Sequence, residues 1–232
     1  WAQIYQECWR QMRDFFYAPN MHGLNWAAVR EKYAPLVESV NSRADLTYII
    51  GEMIAELSAG HAYVGGGDLA RPQRIQTGLL GAELERDPAS RYYRTKRILK
   101  GQNWNQATIS PLTQIGVDVR AGDYILAVNG RSTAQMANIY EALLNTVGKQ
   151  VRLRVNARPT EAGSREAVVI PIANEAPLYY YNWVEENIRK VNAATSGKVG
   201  YIHIPDMGND GLNEFVKYFY PQLRKKALII DV

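Results

Sequence analysis

Histidines give this sequence its main capacity for acid–base chemistry near neutral pH. His203 and Asp206 lie three residues apart in GYIHIPDM, a spacing at which a carboxylate can orient an imidazole base. The alternative is a structural role, in which His203 lies at the end of a strand and the local backbone satisfies its hydrogen bonds. His22 lies in the polar loop APNMHGLNW, and we interpret it as a surface or capping residue.

His61 has a different setting, because it follows Gly60, which ends an apolar helical stripe, and precedes AYV and the glycines at 65–67. A side chain at such a corner can project into a cleft while a helix holds its backbone in place. The sequence identifies neither a nucleophile nor an orienting acid beside this histidine. From these residues by themselves, a structural role is favoured over a general base.

The glycine cluster and the cysteine limit other kinds of chemistry. A phosphate-binding loop would continue into a helix. DLARPQR follows the glycines instead, with Pro72 breaking the pattern, so we predict a flexible connector here. The single cysteine, Cys8, excludes an internal disulfide and a cysteine-based zinc site. Cys8 lies on an apolar helical stripe and is predicted to pack. We expect no metal and no cofactor.

Net charge and hydropathy give little information about the binding partners of the protein. The formal net charge of +4 biases weakly towards anionic partners. The stretch RYYRTKRILK at 91–100 mixes tyrosines with basic residues, as grooves for single-stranded nucleic acid do. One exposed face of a strand explains it equally well, and no nucleic-acid motif accompanies it, so we expect no nucleic-acid partner. No window approaches the roughly 18 apolar residues that a membrane helix requires.

Helical periodicity predicts the elements that hold His61. Three apolar stripes mark three N-terminal helices, with Asn25 capping the second and Asp45 capping the third. The third helix ends at Gly60, and HAYV is predicted to form a short strand. The apolar positions of the third helix are Leu46, Ile49, Ile50, Met53, Ile54 and Leu57.

The remaining chain predicts a β-rich module and then an α/β layer. Short strand-like runs occupy 74–173, with one long inserted helix. After Pro177 the order becomes helix, strand, helix, strand, which favours parallel strands, and Pro221 should end the last helix near Tyr220. ALIIDV is predicted to be a buried strand. The apolar positions of the inserted helix are Met136, Ile139, Tyr140, Leu143, Leu144 and Val147.

These patterns, in this order, resemble the core of the tricorn-type serine peptidases, which are related to the C-terminal-processing, or tail-specific, peptidases. LSAGHAYVGGGD is similar to their helical core segment. LLGAELE and SPLTQIGVDVRAGDYILAVNG resemble the carboxylate-binding loop and signature of a PDZ domain, and residues 135 to 147 resemble its groove-lining helix. GKVGYIHIPDM and ALIIDV resemble the opening of the α/β protease half.

The resemblance implies an α+β multidomain fold with three parts: a helical protease-core subdomain at 1–68 that ends in the His61 strand, a PDZ domain at 74–173, and the start of an α/β protease domain at 174–232. It also implies that His61 is the general base for a serine nucleophile. That serine and the oxyanion-hole residues would follow residue 232, so the fragment by itself is expected to be inactive. Where the family pattern has a serine that helps orient the histidine, this sequence has Gly60, and Ser58 need not substitute for it.

The implied substrates are peptides or unfolded proteins, bound in part through their C-termini. Two alternatives stay open: the loop packs against the protease core and binds nothing, or the chain is a peptide-binding or scaffold module without activity. The resemblance further implies a homo-oligomeric parent protein. It leaves the compartment undetermined, with a slight preference for export over the cytoplasm. The residues implied in carboxylate capture are Leu79, Leu80, Gly81 and Ala82, and those implied in the side-chain pocket are Ile139 and Leu143.

Overall fold

The structure, a computed structural model, describes residues 1–69 and 72–232. The chain forms two compact units, Trp1–Gln73 and Arg74–Val232, and each has a buried core of its own. The connector predicted after the glycines includes residues 70 and 71, which lie outside the described residues. The α+β class predicted from the sequence is confirmed, with helices in the first unit and both helices and strands in the second.

The first unit packs helices α1 (Ala2–Phe15), α2 (Trp26–Val37) and α3 (Arg43–Ala55) around one core. Two tryptophans join α1 to α2 by exchanging hydrogen bonds: the Trp9 indole N–H donates to the Trp26 carbonyl at 2.8 Å, and the Trp26 indole N–H donates to the Trp9 carbonyl at 3.0 Å. Both rings are therefore buried with their polar atom satisfied.

The cap of α3 differs from the sequence prediction. Asn25 caps α2 as expected, but the prediction of Asp45 as the cap of α3 was wrong. Ser42 is the N-cap, and its hydroxyl accepts the Asp45 backbone N–H at 3.2 Å while the Asp45 carboxylate accepts the Ser42 N–H at 2.9 Å. This reciprocal capping box satisfies two backbone donors and starts the helix two residues before Asp45.

The strand predicted for HAYV is also absent from the described residues. His61 lies in a turn, and residues 62–66 run on without a strand partner. A strand is stabilised by backbone hydrogen bonds to a neighbour, and here side-chain packing holds the segment instead. The Val64 side chain lies against Gly51 of α3, 3.4 Å from the position that a Cβ there would take.

The second unit begins with six strands: β1 (Ala82–Arg86), β2 (Tyr93–Ile98), β3 (Tyr124–Val128), β4 (Arg131–Ser132), β5 (Val151–Asn156) and β6 (Arg165–Val169). They form an antiparallel sheet of order β1-β2-β3-β5-β6, with β4 paired to β3 in a hairpin. Its side chains alternate: in β5, Val151, Leu153 and Val155 are fully buried, while Arg152 faces outwards.

The long helix predicted across residues 136–147 was wrong. The structure has a short 3₁₀ helix, Ile139–Leu143, after which Leu144 is extended. The groups that would continue a helix bond to the segment before β1: the Leu143 carbonyl accepts the Gly78 N–H at 2.8 Å, and the Asn145 N–H donates to Gln76 at 2.7 Å. Long-range pairing therefore replaces the helical hydrogen bonds at this point.

The chain then forms α4 (Ala176–Ala194), β7 (Val199–His203), α5 (Asn209–Phe219) and β8 (Ala227–Asp231). The parallel pairing of β7 with β8 is confirmed, as is the end of α5 just before Pro221. The prediction that ALIIDV is buried was wrong, since Ile229 and Ile230 are about half exposed. Helices α4 and α5 pack on β7, which leaves β8 less covered. None of the described helices is long and apolar enough to cross a membrane.

Candidate active site

His61 is exposed at a corner that the end of α3 holds in place. Leu57, two residues after the end of α3, is 1% exposed and anchors this corner in the core of the first unit. Ser58 then adopts a positive φ of 48°, which turns the backbone away from the helix axis. The imidazole therefore projects from a fixed backbone into solvent.

The Tyr63 hydroxyl lies within hydrogen-bond distance of both the His61 ring and the backbone just before it. The Tyr63 hydroxyl lies 3.3 Å from Nδ1 of His61 and 3.3 Å from the carbonyl oxygen of Gly60. The Tyr63 hydroxyl can donate its one proton to the Gly60 carbonyl, and its oxygen can then accept a hydrogen bond from Nδ1–H of His61. In that tautomer Nε2 carries the lone pair, and Nε2 has no hydrogen-bond partner among the described residues. This is the tautomer that a general base needs.

An open pocket of about 780 Å³ surrounds the imidazole within the first unit. Its other walls are mainly apolar, and two of its rings are largely exposed, Phe15 at 84% and Tyr63 at 78%. A base beside an uncovered apolar wall can meet a substrate that presents both a reactive group and an apolar side chain. The apolar and aromatic lining residues are Met12, Phe15, Phe16, Tyr17 and Tyr63.

The two other histidines are engaged differently. Both ring nitrogens of His22 have partners, the Tyr17 hydroxyl at 2.6 Å and the Leu57 carbonyl at 3.1 Å, so His22 braces the corner that carries His61. Nδ1 of His203 lies 2.8 Å from the Tyr180 hydroxyl.

Asp206 does not contact His203 in the structure. Its Oδ1 accepts the backbone N–H groups of Gly208 at 2.6 Å and Gly211 at 3.1 Å at the start of α5. The structure therefore does not bring His203 and Asp206 together as a base and its orienting acid, and Asp206 acts at a helix start.

The loop before β1 has its backbone donors directed at one carboxylate. The Gly81 N–H donates to Oε1 of Glu175 at 2.6 Å, and the Ala82 N–H points to the same oxygen at 3.3 Å. Gly81 has a φ of 72°, and a Cβ there would lie 3.0 Å from both Pro111 and Ser110. Glycine is therefore required at this position by both backbone conformation and space.

The side chains implied in peptide capture lie in the core of the second unit. Leu80 is 2% exposed, and Ile139 and Leu143 are fully buried. Leu79 exchanges two backbone hydrogen bonds with Ile172, at 2.8 and 3.0 Å. In this conformation, Ile139 and Leu143 do not line an open groove, and their role in peptide binding stays a prediction.

Comparisons with known proteins agree with this arrangement. Residues 1–55 match the Tricorn protease C1 domain, and residues 78–174 match the Tricorn protease PDZ domain. This chain belongs to the tricorn protease family. Tricorn protease homolog 1 of Streptomyces coelicolor is 35% identical over 100% of this chain and 22% of its own length. The tricorn protease homolog of Saccharolobus solfataricus is 33% identical over 100% of this chain and 21% of its own length.

Solved structures give the same result. The crystal structure of the tricorn protease superimposes on 100% of this chain and 22% of its own chain, with a TM-score of 0.87 and 30% sequence identity. The chain therefore spans about a fifth of the length of the tricorn relatives that it matches.

One departure from the tricorn pattern lies beside the candidate base. Gly60 stands where the resemblance implies a serine, and a Cβ at Gly60 would have no heavy atom within 4 Å among the described residues. A serine would therefore fit. The hydrogen-bond partner of the His61 ring within the described chain is Tyr63, which sequence reasoning missed. The sequence feature that could have indicated this contact is the tyrosine two positions after the histidine in the HAY run.

The tricorn PDZ region also borders a second pocket, of about 760 Å³, beside β6. None of the described residues that line it carries a titratable side chain, so it cannot supply acid–base chemistry. The basic stretch at 91–100 contains β2, where Arg94 donates to the Gly122 carbonyl at 3.0 Å and Arg97 lies 3.5 Å from Glu83. These two cations thus have partners within the chain.

Proposed function

We propose that this chain is part of a larger serine peptidase in which His61 is the general base. The observation that carries the proposal is the exposed His61 ring, which lines an open pocket and whose Nδ1 lies 3.3 Å from the Tyr63 hydroxyl. Membership of the tricorn family supports the assignment, since its members include proteins named as proteases.

The proposed reaction is acyl transfer. Nε2 of His61 takes the proton of a serine hydroxyl as its oxygen attacks the peptide carbonyl, and the imidazolium then gives that proton to the leaving amine. Backbone N–H groups hold the negative charge on the carbonyl oxygen. We propose that the serine and those N–H groups belong to the part of the protein after residue 232, and that they come close to Nε2 in the assembled active site.

Tyr63 is a positioning residue in this proposal. Its oxygen accepts Nδ1–H, which keeps the lone pair on Nε2 and restrains rotation of the ring. It takes over the orienting role that the serine before the histidine has in the tricorn pattern. The contact is long, at 3.3 Å, so its contribution to the reaction should be smaller than that of the base itself.

Peptide turnover by the full-length protein tests the proposal. The His61→Ala variant should lower kcat on unstructured peptides by about 10³-fold or more, because the serine loses its proton acceptor. His203→Gln is the matched control, since it changes another histidine, one whose ring has its own partner in Tyr180. Equal turnover by wild type and His61→Ala would remove His61 from the mechanism.

We also propose the domain limits 1–68, 74–173 and 174–232. The division of the chain between residues 73 and 74 and the PDZ match at 78–174 support the first limit and the middle domain. Limited proteolysis followed by mass spectrometry tests these limits. Cleavage that clusters inside 82–169, and spares the two expected junctions, would contradict them.

A second candidate function is peptide binding by the PDZ region. The observation that favours it is the position of β1 at the end of the sheet order, directly after a loop whose N–H groups hold a carboxylate. A bound peptide would add as a strand beside β1. The homo-oligomer implied by the family stays a prediction, and light scattering on the full-length protein tests it.

A further inference from the structure

The carboxylate held by the loop before β1 comes from the chain itself. Glu175 directly precedes α4, and its side chain receives the N–H groups of Gly81 and Ala82. In the proposed peptide-binding role, these are the donors that a peptide C-terminus would need. A ligand of the expected chemistry therefore already occupies them.

An apolar side chain accompanies this carboxylate. Leu178, one helical turn after Glu175, is fully buried, and its Cδ1 would lie 3.3 Å from a Cβ placed on Gly81. A peptide terminus offers the same combination of a carboxylate and a nearby side chain. The first turn of α4 thus presents to the loop the two features by which a C-terminal residue is recognised.

The segment leading into α4 fixes this arrangement. The reciprocal backbone bonds between Leu79 and Ile172 place the chain beside the loop three residues before Glu175. About two turns further along α4, Asn182 donates to the Lys100 carbonyl at 2.8 Å and accepts the Lys100 N–H at 3.1 Å, so α4 is bound to the segment just after β2. Glu175 is therefore held over the loop from both sides.

We propose that Glu175 is the resident ligand of the loop at 79–82, and that the loop takes a peptide C-terminal carboxylate when the Glu175 side chain is removed or displaced. The inference rests on the proposed peptide-binding role of the loop and is independent of His61. In the resting chain, the loop joins α4 to the PDZ region, and it prefers a free C-terminus to an amidated one weakly or not at all.

Two substitutions separate the hydrogen bonds of Glu175 from its charge. Glu175→Ala removes the acceptor and leaves the Gly81 and Ala82 donors open to a ligand. Glu175→Gln keeps an oxygen acceptor of the same reach, so the loop stays filled. Glu186→Ala is the matched control, because it removes another α4 carboxylate, one paired with Lys190 on an exposed face.

The experiment titrates the 232-residue chain with two fluorescent peptides that end in leucine, one with a free C-terminus and one amidated, and follows anisotropy. Glu175→Ala should bind the free form at least tenfold more tightly than the amidated form. Wild type, Glu175→Gln and Glu186→Ala should discriminate less than threefold. If circular dichroism shows that Glu175→Ala does not fold, Glu175→Asp, which withdraws the carboxylate by one methylene, takes its place.

Two results would overturn the inference, and they differ in whether the peptide-binding role of the loop also fails. If wild type prefers the free terminus as strongly as Glu175→Ala does, Glu175 does not fill the loop, and the peptide-binding role stands. If the folded Glu175→Ala variant binds both peptides equally, the loop does not capture a carboxylate, and both the inference and the peptide-binding role fail. The peptidase proposal is untouched in either case.

Discussion

The His61 corner and the loop at 79–82 are both sites implied by the same family pattern, yet the structure presents them in opposite states. His61 is exposed, and it lines a pocket with mainly apolar walls. The loop has its donors occupied by Glu175, and the neighbouring side chains are buried. A motif thus indicates where a site lies, whereas long-range contacts decide whether a ligand can reach it.

The largest expected difference between the two regions concerns their glycines. Gly81→Ala should lower the free energy of unfolding of the 232-residue chain by about 2–3 kcal/mol, because a Cβ there is strained by the positive φ and crowds Pro111 and Ser110. Gly60→Ala should change it by about 0.5 kcal/mol or less, since that Cβ meets open space. Urea unfolding followed by circular dichroism measures the free energy of unfolding of both variants. Equal losses of stability in the two variants would contradict the predicted difference between the two glycines.

A smaller effect is expected at the hydroxyl that holds His61. Tyr63→Phe should lower kcat of the full-length protein by about fivefold to tenfold with little change in KM, because one hydrogen bond to the ring is lost. Adding Gly60→Ser should restore part of kcat if the serine takes over the orienting role. A change confined to KM, or an equal loss in the Tyr63→Phe and Tyr48→Phe variants, would count against that role. Tyr48 is an exposed tyrosine on α3.

The smallest expected effect is a pH dependence at the filled loop. Burial raises the pKa of Glu175 above its usual range, and the Gly81 and Ala82 N–H groups oppose this shift. The folded state therefore binds this proton more tightly than the unfolded state. The Glu175 contribution is fully present below the usual glutamate pKa of about 4.3 and is lost as pH rises to the folded pKa.

Glu175→Gln, which cannot ionise, should remove that fall in stability. Urea unfolding of wild type and Glu175→Gln between about pH 4 and 7 measures the difference. The wild type should lose stability relative to the variant as pH rises. A difference between the two that stays constant or changes in the opposite direction would contradict the burial of an ionisable Glu175.

Local patterns predicted the elements whose stabilising contacts are also local. The apolar stripe of α3 and the alternation of β5 are visible in the sequence, and the structure confirms both. The stripe at 136–147 has the same periodicity as α3, but hydrogen bonds to 76–78 take the backbone groups that a helix would use. Hydrophobic periodicity does not show which hydrogen bonds a segment makes with distant parts of the chain.

The candidate site divides in the same way. His61 could be found as the candidate base from its position in the HAYV run and the family pattern, because the residue and its corner are contiguous in sequence. Glu175 could not be found, because 94 positions separate it from Gly81, and nothing near ANEAPL marks it as a ligand. The sequence also places Asp206 near His203, although its oxygen is taken by the start of α5.

The most direct test of the central claim is the rate at which a fluorophosphonate probe labels serine in the full-length protein. This reaction requires a base to take the proton of the serine hydroxyl and does not depend on peptide recognition. The account predicts that labelling is at least about 100-fold slower in His61→Ala than in wild type or His203→Gln. Labelling of His61→Ala at the wild-type rate would contradict it.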